Sequence, residues 1–222
     1  MNTDNPNKKR ETLTFIIILA VGAALAMCTH FFPSSEAAYI ICPWLYVPCF
    51  LYVSRNMTRK LHLVLWLVFW CGSFMVRYWG IMAPFSPTVS LVLQFVSAAV
   101  FSLPYWLDRF LCRKDCGVAA LLIFPFACAS LDYLMELLGL GSLFSLAQTQ
   151  FDNKLLLQIA AVLGCRGIVL VLTMWASFIV HYRKNLKAIL ICLAGLLVIL
   201  LCGLARINIH TPVIEAADKV TI

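Results

Sequence analysis

Charge is scarce in this 222-residue chain: Asp, Glu, Lys and Arg together make up 12% of it. A soluble domain carries about 25%, enough to cover its surface with polar groups. With 63% hydrophobic residues and a mean hydropathy of +0.92, this chain has no such cover. Lipid is the solvent in which such a pattern is stable. Also missing are an internal repeat, a low-complexity stretch, a Ser/His/Asp set, a glycine-rich phosphate loop and a metal motif. The missing repeat weighs against the many transporters built from one. The missing motifs leave no cofactor to expect.

What is there is apolar and long. Seven spans are expected, at Leu13–Phe32, Ala37–Ser54, Leu61–Ala83, Val89–Leu111, Val118–Gly139, Leu155–Tyr182 and Ala188–Ala205. Each is near the roughly 20 residues that cross about 30 Å of hydrocarbon. The sixth is long enough to tilt or to extend past the membrane. Pro43, Pro48, Pro104 and Pro125 fall inside spans, where neighbouring helices satisfy the backbone groups that proline frees. The fold class is therefore all-α, a polytopic bundle of about seven transmembrane helices. The chain divides into a short segment 1–12, a membrane domain 13–205 and a tail 206–222.

The ten cysteines fit this picture. Cys28, Cys42, Cys49, Cys71, Cys128, Cys165, Cys192 and Cys202 lie in apolar runs, where a free thiol acts as a small hydrophobe. A disulfide framework is not expected, because these positions do not read as extracellular loops. Cys112 and Cys116 form a CxxxC pair, but two ligands cannot close a tetrahedral zinc site. His30, His62, His181 and His210 are scattered over different segments.

The net charge of +7 would suggest nucleic acid on a soluble protein. Here the basic residues sit between apolar runs, so they set orientation and no nucleic-acid partner is expected. One set of alternate segments holds Lys8, Lys9, Arg10, Arg55, Arg59, Lys60, Arg109, Arg113, Lys114, Arg183, Lys184 and Lys187. The other holds Lys154, Arg206 and Lys219. Twelve against three places the N-terminus in the cytoplasm and the C-terminus outside. The basic start also fits a secretory signal. However, Leu25-Ala26-Met27-Cys28 puts Met where a lipoprotein cleavage site needs a small residue, and the apolar run continues through Phe32. A retained anchor is the expectation.

Ionisable groups inside spans are costly and suggest function. Arg77 lies in the outer third of span three, Asp132 and Glu136 in the outer half of span five, and Arg166 in span six. The i, i+4 spacing of the two acids sets them on one helix face. By helical rise the four lie roughly 6 to 18 Å below the outer surface. Two readings stay open: a polar cavity opening outward, or a structural ion-pair network with side chains that snorkel. The outer loop Leu140–Lys154 is half apolar. It is expected to lie in the interface, to dip back into the membrane, or to be a plain connector.

Residues 129–180, ASLDYLMELLGLGSLFSLAQTQFDNKLLLQIAAVLGCRGIVLVLTMWASFIV, resemble the membrane domain of apolipoprotein N-acyltransferases. In that family an acidic residue in a late span precedes a Gly/Ser-rich outer loop that ends in glutamine. The next span opens on a Gln-Ile-Ala-like segment and a Gly-x-x-Gly pair. The matching positions are Asp132, Gly139, Gly141, Ser142, Gln148, Gln150, Gln158, Gly164 and Gly167. Outside these fifty or so residues, only hydropathy and span order agree.

The resemblance implies a bacterial inner-membrane protein with seven spans, followed outside by a nitrilase-like catalytic domain. It implies acyl transfer from a phospholipid to the N-terminal cysteine of a lipoprotein, through a thioester. The family's Glu-Lys-Cys set belongs to the nitrilase-like domain, and no residue here matches it. Cys202 in the last span is not a candidate. A thiolate nucleophile needs a base and an oxyanion site, so the chain is expected to be inactive alone. The partners implied are membrane phospholipid, a lipoprotein, and a nitrilase-like domain encoded separately if the gene is split. The tail ARINIHTPVIEAADKVTI resembles the lead into that domain, with Asp218–Ile222 expected to open a strand. Two other readings stand beside this one. The first is a small transporter or substrate-binding subunit whose pathway the four charged residues line. The second is a scaffold for a partner protein.

Overall fold

The computed structural model describes residues 6–31, 36–58, 60–78, 86–112, 117–139 and 144–218. Among these residues the protein is all-helical. The helices are α1 (Pro6–Phe31), α2 (Glu36–Arg55), α3 (Lys60–Arg77), α4 (Pro87–Leu111), α5 (Ala119–Leu137), α6 (Lys154–Leu163), α7 (Cys165–Tyr182) and α8 (Leu186–Asp218). A 3-10 turn, η1 (Leu146–Gln150), precedes α6. Seven of the helices are long and apolar enough to cross a membrane; α6 is too short. The protein is thus a multi-pass helical membrane protein.

Two expectations need correction. The sixth expected span, Leu155–Tyr182, is not one helix. It breaks at Gly164, whose φ of +69° and ψ of −177° end α6 and start α7. Only glycine adopts that conformation readily. Gly167 then lets the two pieces fold together, since a Cβ there would lie 2.6 Å from the Leu163 Cβ. The tail also differs. α8 runs on to Asp218, so Asp218 closes a helix rather than opening a strand, and residues 219–222 lie outside the described ones.

The helices alternate in direction, as their contacts show. Phe15 of α1 stacks on His62 of α3, with ring centroids 4.1 Å apart. Arg55 at the end of α2 binds Asp108 near the end of α4 and the carbonyl of Ala120 at the start of α5. Arg183, just past α7, lies 4.6 Å from the Tyr52 ring of α2. The segments that carry the excess of basic residues therefore share one end of the bundle, called the basic end below.

In lipid, helices gain little from hiding apolar surface and associate through close packing instead. The core is built accordingly. α1 meets α2 through the small residues Gly22, Ala23 and Ala26, and a Cβ on Gly22 would stand 2.9 Å from the Cys49 Cβ. α2 is central, with Tyr46, Val47, Phe50, Leu51 and Val53 all buried. Around it, Trp66 and Trp70 of α3 stack at 5.5 Å, and Phe50 meets each of them edge-on. Tyr105 of α4 joins both tryptophans and Phe124 of α5. Each such pair contributes about 0.5–1.5 kcal/mol beyond its contact area. Trp66 and Trp70 also donate to the Phe50 and Ala98 carbonyls, so neither indole is buried with its N–H unpaired.

Candidate functional site

The end opposite the basic one holds the four charged residues singled out in the sequence. They divide into two pairs. Arg77 closes the last turn of α3 and donates to the Tyr46 hydroxyl. Its guanidinium carbon lies 5.4 Å from the Tyr46 ring and 5.0 Å from the Tyr78 ring. A cation over aromatic faces is stabilised without a carboxylate. Its Nε–H is buried and has no hydrogen-bond partner among the described residues. Asp132 is buried, at 8% exposed.

Arg77 and Asp132 line one cavity of about 60 Å³, together with Tyr46, Tyr78, Tyr105 and Phe144. At that size it suits water or one small polar group, not an acyl chain.

The second pair sits outside this cavity. Arg166 of α7 bridges Glu136 of α5 and lies 4.4 Å from the Tyr133 ring. Its side chain is 36% exposed and that of Glu136 is 61% exposed. The structure therefore shows a buried Arg–Asp cavity with an exposed ion pair beside it, rather than four groups lining one passage.

The connection between α5 and α6 dips into the bundle. Gly139, at φ +77°, turns the chain out of α5, and Gly141 and Ser142 lie outside the described residues. Phe144 then packs between Phe74, Tyr78 and Phe101, and its carbonyl accepts from the Tyr78 hydroxyl. Ser145 caps η1 by accepting from the Ala147 amide.

Gln150 is fully buried at the end of this turn. It accepts from the Trp44 indole at 3.2 Å and donates to the Ile40 carbonyl at 2.9 Å. Trp175 of α7 in turn donates to the Trp44 carbonyl. One glutamine side chain thus pins the turn to α2. Gln148 is only half-buried, and Gln158 bonds back to the Lys154 carbonyl within α6. Of the glutamines chosen from sequence, Gln150 is the one that holds the fold together.

Sequence reasoning missed Asp108. It is fully buried, and Arg55 grips it through Nε at 2.7 Å and Nη2 at 2.8 Å. The same Nη2 reaches the Ala120 carbonyl, so this pair ties α2, α4 and α5 at the basic end. The signal was available: an acid one turn inside an apolar span is costly unless paired. Cys112 faces Asp108 at 3.5 Å, while Cys116 lies outside the described residues. All nine described cysteines are free thiols.

Comparison of the chain with protein-family models, with curated proteins and with solved structures finds no match.

Proposed function

We propose that this chain is the membrane domain of an apolipoprotein N-acyltransferase-like protein of a bacterial inner membrane, with its amino end in the cytoplasm and its carboxyl end outside. In that family an acyl group passes from a phospholipid to a lipoprotein's N-terminal cysteine. On this reading the thiol chemistry belongs to a nitrilase-like domain, and this chain seats that domain and presents the lipid donor to it.

The observation that carries the reading is the convergence of four of the nine residues on which the resemblance rests. Asp132, the turn ending in Gln150, the break at Gly164 and the tight Gly167 contact all belong to the junction of α2, α5, α6 and α7. A motif present only for its hydropathy would not supply two hydrogen bonds from a buried glutamine to a neighbouring helix.

The test has two arms. Reporter domains fused after Ile222 are expected to be active only outside the cytoplasm, and activity inside would overturn the orientation. Membranes containing the chain together with a nitrilase-like domain from the adjoining reading frame are expected to acylate a lipoprotein peptide from phospholipid. Neither component is expected to do so alone. No transfer by the pair, or full transfer without this chain, would overturn the function.

A further inference from the structure

A lateral groove lies between α4 and α5, on the basic side of the Arg77–Asp132 cavity. Its volume is about 1430 Å³. Residues three and four apart line each wall: Leu103, Leu107 and Phe110 on α4, and Ala127, Ser130 and Leu134 on α5. The α4 wall is bulky and exposed, whereas the α5 wall is shallow at Ala127 and Ser130, between the larger Ile123, Phe126 and Leu134. Between Leu103 and Cys112 the groove spans roughly 14 Å by helical rise. That matches one leaflet, about half of the 30 Å hydrocarbon core.

The mouth at the basic end carries two arginines of different standing. Arg55 is neutralised by Asp108. Arg109 has no carboxylate partner among the described residues. It donates to the Met57 carbonyl at 2.9 Å and to the Met57 sulfur, and its guanidinium lies 5.8 Å from the Trp106 ring. Of the five N–H donors of an arginine, three have no partner among the described residues. A cation at the rim of an apolar slot one leaflet deep has the chemistry of a phospholipid site.

We infer that this groove binds an anionic phospholipid, with the phosphate on Arg109 and one acyl chain lying between α4 and α5. The Arg109 mouth is at the opposite end from Asp132 and Gln150, although Ser130, Leu131 and Leu134 bring the far end of the groove beside Asp132; the inference rests on Arg109 and not on the acyl-transfer reading. This lipid is a bound component of the bundle and does not react.

The test uses the full chain reconstituted in vesicles with spin-labelled phosphatidylglycerol or phosphatidylcholine of equal chain length. The wild type is expected to immobilise phosphatidylglycerol over phosphatidylcholine by roughly fivefold, the effect of one arginine at the membrane surface. Arg109→Gln should bring that ratio to about one while leaving the amount of immobilised lipid largely unchanged. Ala127→Trp fills the shallow part of the wall and keeps Arg109, so it should lower immobilisation of both lipids. Equal binding of the two lipids by the wild type would overturn the inference, as would an unchanged ratio in Arg109→Gln. If Arg109→Gln fails to fold, the Ala127→Trp arm decides: unchanged immobilisation rejects the groove.

Discussion

α2 and α8 are both apolar helices of spanning length, yet half of the spanning window of α2 is buried against 6% of that of α8. The difference shows what apolarity does and does not specify in lipid. Both sequences satisfy the bilayer equally well. Only α2 carries the alternation of aromatic, branched and small residues that lets five neighbours approach it. Among the described residues of α8 many Leu, Ile and Val face outward, and its contacts are with α6 and α7. Its closest approach is at Gly203, where a Cβ would stand 2.3 Å from the Leu155 carbonyl oxygen. Helix association here follows shape and paired polar groups, because lipid removes the hydrophobic difference between packed and unpacked faces.

That contrast can be broken or sharpened by mutation, with stability read as the unfolding midpoint in mixed micelles. Among polar substitutions the largest effect is expected from Asp108→Ala, which leaves the largely buried Arg55 with the Ala120 carbonyl but no carboxylate, at a cost of about 3 kcal/mol. Replacing both partners with Met and Leu should recover most of that loss. Leu51→Ala in α2 removes a fully buried side chain and should cost about 2–5 kcal/mol, whereas Leu197→Ala on the exposed face of α8 should leave the midpoint unchanged. Equal losses at these two positions would abolish the distinction.

Gly203→Leu should cost about 1–3 kcal/mol through steric conflict. The loss should appear as faster proteolysis around α8 while the bundle's tryptophan fluorescence stays native. The smallest change is expected from Glu136→Gln, less than about 1 kcal/mol, because its pair with Arg166 is exposed. A larger loss would show that this pair is part of the packed core.

Most of the fold is legible in the sequence, because a span needs only length and apolarity. The expected second and fourth spans, Ala37–Ser54 and Val89–Leu111, lie within two residues of α2 and α4 at every end. The break at Gly164 is not legible in that way. Hydropathy stays high from Leu155 through Val180, and the deciding quantity is a backbone angle at one of ten glycines. Within the candidate site, the sequence points to Arg77 and Asp132, which do share a cavity. It also points to Glu136 and Arg166, but their exposure depends on which way a helix face turns, and spacing along one helix does not fix that. Asp108 was readable by the same rule that singled out Asp132. Its place beside Arg109, one turn from the end of the span, gives the segment the look of surface charge.

The kink at Gly164 also bears on thickness. An unbroken helix from Lys154 to Tyr182 would measure roughly 44 Å by helical rise. That exceeds a hydrocarbon layer of about 30 Å by half again. A rod of that length would have to lean steeply, or the surrounding bilayer would have to swell around it. Dividing it into pieces of 10 and 18 residues leaves α7 matched to the layer and α6 short of it. A single dihedral angle thus spares the bundle a hydrophobic mismatch that its own sequence would otherwise impose.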